Sequence, residues 1–195
     1  NKFEAAALAS NYTDPNNGYR KYLDLDSFLR NFIIGEFCAN TDAFWSVYMY
    51  KDSSDGKLYT GPTWDHDISF DNDYTVHPIN GHGGFLYCNG ARAASDAIRQ
   101  VADRIVRLDP EAKNRLIELW EQAYEEGNLK ELPLYLDETK ALLQESQELN
   151  FKRWNILNQK VHMNFQALGS YDAEVQYLRN CITERLTLFD QYVRN

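Results

Sequence analysis

The 195-residue chain is poor in the residues that build disulfide-rich or membrane-spanning proteins. It contains only three cysteines, five prolines and two methionines. Cys38, Cys88 and Cys181 are odd in number and far apart, which excludes a disulfide framework and a C-x-x-C metal knuckle. The longest apolar run, residues 32–34, is far too short to cross a bilayer. We therefore expect no membrane insertion.

Positive charge is also scarce. The chain has 20 basic against 29 acidic residues, a net charge of −9. Such a surface repels nucleic acid, and no local basic patch offsets it, so we expect no nucleic-acid partner. It repels free nucleotide as well. An acidic protein that uses ATP therefore needs a divalent metal to bridge its carboxylates and the phosphates.

Apolar and aromatic residues are plentiful, at 44% and 14% of the chain, which is typical of a folded protein. Residues 1–18 end in a polar run rich in Asn, Asp, Pro and Gly, and we interpret them as a flexible N-terminal segment. Residues 19–195 then form a single domain, because this length fits one core.

Apolar periodicity predicts a mainly α fold with one small β-hairpin, an α+β architecture. A buried helix begins at Asp24 or Asp26 and ends near Asn40. Aromatic and β-branched residues at 45–50 and 58–60 flank a turn and predict the hairpin. Residues 71–91 resemble a long irregular loop. Further helices are predicted over 98–108, 110–127 and 132–149 and from 170 onwards.

Polar groups stand where two of these elements end. Asn40 and Asp42 directly follow the buried helix, and Asp65 and Asp67 directly follow the hairpin. On an extended segment Asp65 and Asp67 would project to the same side and could grip a hard divalent cation. Asp42 and Asp65 stand 23 positions apart (65 − 42), which suffices for the hairpin to bring the groups together. That arrangement suits phosphoryl transfer.

Simpler interpretations of these residues exist. Asp65 and Asp67 could merely solvate a loop, and Asn40-Thr41-Asp42 could be a helix C-cap and turn. The simplest interpretation of the tryptophans at positions 45, 120 and 154 is that they are aromatic residues of the core.

Two metal sites are also conceivable. Acidic and hydroxyl residues alternate from Asp65 to Asp73 as in a calcium loop, but Phe70 and Val76 break that pattern. A zinc site would need spacings that the chain's candidates do not have. Those candidates are His66, His77, His82 and Cys88.

The order of several motifs resembles the CotH (spore coat protein H) kinase family. The tail around Arg153-Trp154 and residues 169–175 is similar to the C-terminal region of such proteins. The motifs that carry the resemblance are Asp26-Ser27-Phe28, Asn40-x-Asp42, Tyr48-x-Tyr50-Lys51, Asp55-Gly56-Lys57-Leu58 and Gly61-Pro62-x-Trp64-Asp65-x-Asp67-x-Ser69-Phe70.

The resemblance implies an atypical protein kinase that transfers the ATP γ-phosphoryl group to Ser or Thr of a protein partner. Asp65, with Asp67, would bind Mg²⁺ or Mn²⁺, and Asn40 and Asp42 would occupy the catalytic loop. Trp64 would wall the nucleotide pocket. The chain would be the C-lobe-like half of a kinase-like fold, belonging to a bacterial spore coat or a secreted or cell-surface protein.

Three departures qualify that inference. Val47 stands where a conventional kinase has a metal-binding Asn, and Asp71 stands where a Gly often follows Ser-Phe. No strand Lys or Gly-rich phosphate loop precedes Asn40, so we expect the N-lobe to lie outside this chain and the chain alone to bind ATP weakly or not at all.

Two other functions stay open at this point. One is a catalytically inert kinase-like scaffold on a spore or cell surface. The other is a cation-stabilised carbohydrate-adhesion module of a polysaccharide-degrading system.

Overall fold

The computed structural model describes residues 1–45, 47–81, 83–88 and 95–195. This part of the chain is mostly helical and contains one two-stranded antiparallel hairpin, which confirms the predicted α+β class. The hairpin consists of β1 (Met49–Lys51) and β2 (Leu58–Thr60). The helices are α1 (Lys2–Leu8), α2 (Leu25–Phe37), α3 (Asp96–Val106), α4 (Pro110–Glu121), α5 (Leu132–Leu142), α6 (Gln144–Arg153) and α7 (Tyr171–Arg194).

Helix α2 lies at the centre and contacts α4, α7 and β2. It begins where predicted, because the Asp24 side chain accepts a hydrogen bond of 2.8 Å from the Ser27 N–H. Its apolar stripe is buried, and Phe37 packs against the rings of Trp120 and Phe189. The core therefore forms around the helix that precedes Asn40.

The C-terminal end of α2 is closed by two devices. Ala39 has a left-handed backbone (φ 54°), and the N–H groups of Ala39 and Asn40 donate to the carbonyls of Glu36 and Gly35. This is a Schellman motif. The buried guanidinium of Arg185, from α7, donates to the carbonyls of Glu36 and Phe37. The helix end that positions Asn40 is thus satisfied and fixed from two sides.

The Glu36 side chain, which is 1% exposed, holds the segment after residue 83. Its carboxylate accepts hydrogen bonds from the backbone N–H groups of Leu86, at 2.5 Å, and Tyr87, at 2.9 Å. Burial raises the pKa of Glu36 to about 7, although these two bonds and Arg185 favour the ionised form. The predicted loop at 71–91 is therefore anchored to α2 in its described part, which includes short 3₁₀ turns at Ile79–Gly81 and Leu86–Cys88.

The hairpin is attached to the start of α2. Leu58 N–H donates to the Tyr22 carbonyl at 2.8 Å, and Asp24 N–H donates to the Leu58 carbonyl at 2.9 Å. Tyr50 and Tyr59 are cross-strand partners with stacked rings. Since β2 leads directly into residue 61, this attachment directs the following acidic segment.

Residues 1–18, which were predicted to be a flexible segment, contain helix α1. Helix α1 has a capping box formed by Asn1 and Glu4, and Ala7 is fully buried. The Arg104 guanidinium donates to the carbonyls of Ala7 and Ala9. The alanines allow α1 to approach α3 closely, a long-range contact that local composition does not reveal.

Two further details differ. The helix predicted over 132–149 is divided at Leu143, which separates α5 from α6. Trp120 is fully buried as expected, but Trp45 and Trp154 are about half exposed.

None of the helices in the described ranges has the length and apolar character that a bilayer crossing requires.

Glu36 predicts a pH-dependent part of the stability. Its pKa is 4.5 in an ordinary environment and about 7 in the fold, so between these pH values the folded chain holds a proton that the unfolded chain has lost. This contribution is present below pH 4.5 and is lost as the pH rises to 7. We expect the free energy of unfolding of the native chain, relative to Glu36→Gln, to fall by up to about 3 kcal/mol over that interval.

Urea denaturation across the pH series measures this difference. Glu131→Gln, which changes an exposed carboxyl just before α5, is the matched control and should give a curve parallel to that of the native chain. A parallel curve for Glu36→Gln would contradict the prediction.

Candidate functional site

The structure brings Asn40 and Asp65 together. The Asn40 side chain, 2% exposed, donates from Nδ2 to the Asp65 backbone carbonyl at 3.2 Å. A second link runs from the Phe70 N–H to the Cys38 carbonyl, at 2.7 Å. The end of α2 and the segment after the hairpin are therefore joined, as the sequence predicted for these two groups.

Asp42 is fixed relative to Asn40 through its backbone. Its N–H donates to Asn40 Oδ1 at 3.0 Å, while its side chain is exposed. Asn40 thus uses both ends of its amide, one to hold the turn containing Asp42 and the other to hold Asp65. The C-cap interpretation of Asn40 is displaced by two residues, because Cys38 caps α2 and Ala39 adopts the left-handed backbone, while Asn40 follows as the last residue of the Schellman motif.

The segment carrying Asp65 and Asp67 is not extended throughout. Asp65 has a left-handed backbone (φ 51°), so the strand alternation assumed for the two carboxylates does not hold at this residue. Asp tolerates this conformation better than most residues. Both carboxylates are exposed, and Asn72 Nδ2 donates to the Asp67 carbonyl at 3.0 Å.

Trp64 and His66 line a small cavity together with Asn40, Pro62 and Val47. The Trp64 ring packs edge-on against Tyr48, with ring centres 5.2 Å apart. Burial lowers the pKa of His66, and the neighbouring Asp65 only partly opposes this, so the imidazole is neutral at pH 7. The region beside the carboxylates therefore has an aromatic wall and an uncharged ring.

A larger apolar cavity of about 260 Å³ adjoins this one, and Val47 lines both. Val47 stands where the metal-binding Asn was missing, and its side chain offers no oxygen ligand. Val47 instead contributes an apolar side chain to the walls of both cavities. Other residues lining the larger cavity include Phe28, Phe32, Phe44, Met49 and Ile98.

Thr41 and Asp73 form a link that the sequence analysis missed. Thr41 Oγ1 donates to Asp73 Oδ2 at 2.8 Å, and Asp73 Oδ1 accepts hydrogen bonds from the N–H and hydroxyl of Thr75. Asp73 is fully buried. No local pattern announces a contact between residues 32 positions apart. This hydrogen bond ties Thr41, in the turn between Asn40 and Asp42, to the buried Asp73.

Asp71 also has a structural role. Its carboxylate accepts from the Tyr177 hydroxyl at 2.5 Å and the Ile79 N–H at 2.8 Å, and it pairs with His77 Nδ1 at 2.7 Å. Its backbone is left-handed (φ 68°), as a Gly at this position would readily be. The departure at Asp71 is therefore accommodated by the conformation, and the carboxylate gains three partners.

These contacts bear on the alternative metal sites. Asp71 and Asp73 direct their oxygens to protein donors, so they are not free to complete a calcium loop with Asp65 and Asp67. Among the described residues, no three His, Cys, Asp or Glu side chains come together as a metal-binding group. His82, one of the four zinc candidates, lies outside the described residues.

The exposed pair nevertheless suits magnesium, which is usually held by one or two carboxylates, with substrate phosphates and water completing its shell. Asp65 and Asp67 are the residues that would provide those carboxylates.

Comparison with known proteins gives one family. The model described as "CotH kinase protein" matches residues 1–189 and therefore nearly the whole chain. Searches of curated proteins and of solved structures gave no significant match.

Asn40→Asp tests the joint between the two segments. The variant keeps an acceptor for the Asp42 N–H but places an oxygen against the Asp65 carbonyl. We expect the free energy of unfolding to fall by about 1–3 kcal/mol and amide exchange in residues 61–67 to accelerate. Hydrogen exchange mass spectrometry and urea denaturation measure these effects.

Asp42→Asn is the control, because its exposed side chain changes while its N–H remains. It should alter the free energy of unfolding by less than about 0.5 kcal/mol. Unchanged exchange in Asn40→Asp would show that the bond to Asp65 does not hold the segment.

Proposed function

The chain belongs to the CotH kinase family, and from that premise we propose that it forms the C-lobe-like part of an atypical protein kinase. The reaction is transfer of the ATP γ-phosphoryl group to a Ser or Thr hydroxyl of a protein partner. The observation that carries the proposal is the bond from Asn40 to the Asp65 carbonyl, which places the helix-end turn beside the acidic segment.

The charges around this joint suit a phosphoryl-transfer site. Asp42, Asp65 and Asp67 expose their carboxylates on the same two joined segments. Mg²⁺ or Mn²⁺ held by Asp65 and Asp67 would neutralise the charge of the phosphates when bound. Asp42, attached to Asn40 through its N–H, orients the hydroxyl of the protein substrate. Asn40 itself positions both carboxylate-bearing segments.

The apolar surroundings offer a place for the nucleotide base. Trp64 forms an aromatic wall at the small cavity, and the adjoining cavity of about 260 Å³ is lined mainly by apolar side chains. Ligand sites of this kind combine an apolar body with a few polar groups at one end. We therefore assign Trp64 and the Val47 side of the cavity to nucleotide binding, with the phosphates directed at Asp65.

Charge and family support a protein partner. With a net charge of −9 the chain favours a protein substrate over nucleic acid. A bacterial spore coat or another secreted or cell-surface layer is the setting that this family suggests.

A second candidate function is an inert kinase-like scaffold. It is favoured by Val47, which provides no metal ligand where a conventional kinase has a metal-binding Asn. The scaffold would keep the fold and the Asn40 joint without transferring phosphate.

Asp65→Asn in the complete natural protein separates these functions. Asn tolerates the left-handed backbone and leaves the Asp65 carbonyl in place for Asn40, while the charge is removed. We expect transfer of radioactive phosphate from ATP to fall by about 100-fold or more, with an unchanged circular dichroism spectrum. Labelling retained by Asp65→Asn would contradict the kinase proposal, and no labelling by the native protein would favour the scaffold.

The control for labelling is Asp52→Asn. Asp52 is an exposed carboxylate of the hairpin turn, and Asn keeps an acceptor for the Ser54 N–H. This variant should label at the native rate.

Metal binding has its own readout. Mn²⁺ broadens nearby amide signals, so its addition to the isotope-labelled chain should selectively weaken the amides of residues 64–68 if Asp65 and Asp67 bind it. The double variant Asp65→Asn/Asp67→Asn should lose this selectivity, whereas Asp52→Asn/Asp55→Asn should keep it. Broadening centred on the hairpin turn would place the cation elsewhere.

A further inference from the structure

Helices α5 and α6 expose apolar side chains that the described part of the chain does not cover. Neither helix contains a buried residue. Leu142 at the end of α5 is 81% exposed, and Leu149 in the middle of α6 is 69% exposed. Single exposed leucines are ordinary. Leu142 and Leu149 belong to different helices, so Leu149 alone forms the apolar centre of the exposed α6 face.

The opposite face of α6 is the one that contacts the domain. Phe151 is half-buried and its ring lies 6.3 Å from that of Tyr171, at the start of α7. Because each helical residue advances by about 100°, Leu149 points roughly 200° away from Phe151. The leucine side chain therefore faces away from the rest of the fold.

Charges on the Leu149 face follow a simple order. Glu145 lies four residues before Leu149, and Arg153 lies four residues after it. Residues at this spacing are neighbours on one helix face. Both side chains are exposed and neither forms an ion pair within the described residues, while the Arg153 guanidinium lies over the Trp154 ring, 4.6 Å from its centre. The face is thus acidic at its start, apolar at its centre and basic at its end.

From this order we infer that α6 is a self-association surface and that its occupant is the α6 of a second copy of the chain in antiparallel orientation. Two copies crossing at Leu149 would bring the two leucines together on the two-fold axis. Glu145 of each copy would then lie level with Arg153 of the other, because both are four residues from the crossing point. An isologous contact of this kind is self-complementary in both charge and apolarity.

A second copy suits the surface better than an anionic membrane does. Glu145 and Glu148 lie in the first half of the same short helix and would be repelled by anionic lipid. Antiparallel association converts that acidic half into a favourable partner of Lys152 and Arg153.

The contact area predicts a weak dimer. Helix α6 has ten residues and is roughly 15 Å long, so two copies bury less than the about 1,200 Å² typical of stable complexes. We expect a dissociation constant on the order of 100 µM. Such an affinity becomes effective where copies are concentrated, as on a surface layer.

Sedimentation equilibrium of the native chain from about 10 to 500 µM, a range around that constant, tests the inference. Leu149→Glu should raise the dissociation constant at least tenfold. Leu108→Glu is the matched control, because Leu108 is 59% exposed but lies before α4, and this variant should associate like the native chain. A native chain that stays monomeric, or one whose association survives Leu149→Glu, would overturn the inference.

Exchanging the charges at Glu145 and Arg153 tests whether the two α6 helices pair in antiparallel orientation. Glu145→Arg alone and Arg153→Glu alone should each weaken self-association, since each places like charges opposite one another. An equimolar mixture of the two variants should associate as well as the native chain, because both cross-pairs become complementary again. Damage to the helix itself would not be repaired by mixing, so failure of the mixture to recover would exclude the antiparallel arrangement.

Discussion

The structure depends on how the last carbonyls of α2 are satisfied. A helix ending inside a core leaves four acceptors without partners, and here the Schellman turn at Ala39 and the Arg185 guanidinium provide donors for them. Arg185 is itself buried, and its charge is balanced by these carbonyl dipoles and by Glu36 nearby. One guanidinium therefore connects the longest helix to the point where the candidate site begins.

From that fixed point the site is assembled largely through main-chain recognition. Asn40 binds the carbonyl of residue 65 and the N–H of residue 42, and Cys38 accepts from the N–H of Phe70. The carboxylates of Asp42, Asp65 and Asp67 remain at the surface. Two other carboxylates, those of Asp71 and Asp73, are buried and accept hydrogen bonds from protein donors. They stabilise the loop that follows the acidic segment.

The sequence predicts the elements whose signals are local. Periodicity and the Asp24 cap locate α2, Asp109 and Pro110 start α4, and Ser170 caps α7. The meeting of Asn40 with the Asp65 segment also followed from motif order. Features governed by distant contacts did not follow, among them the packing of α1 on α3. The roles of Asp71 and Asp73 were missed because a carboxylate that binds protein donors has the same sequence pattern as one that binds a cation.

Asn40 binds residue 65 through the backbone carbonyl, so this structural joint does not depend on the side chain at position 65. Any side chain that accepts the left-handed backbone can stand there without disturbing the joint, so the scaffold exerts no control over whether a carboxylate is present. Under the proposed kinase function, active and silent versions of this domain could then diverge by a single exchange at residue 65 and keep the same joint. Across such a lineage, the identity of that one residue would be more informative than overall similarity.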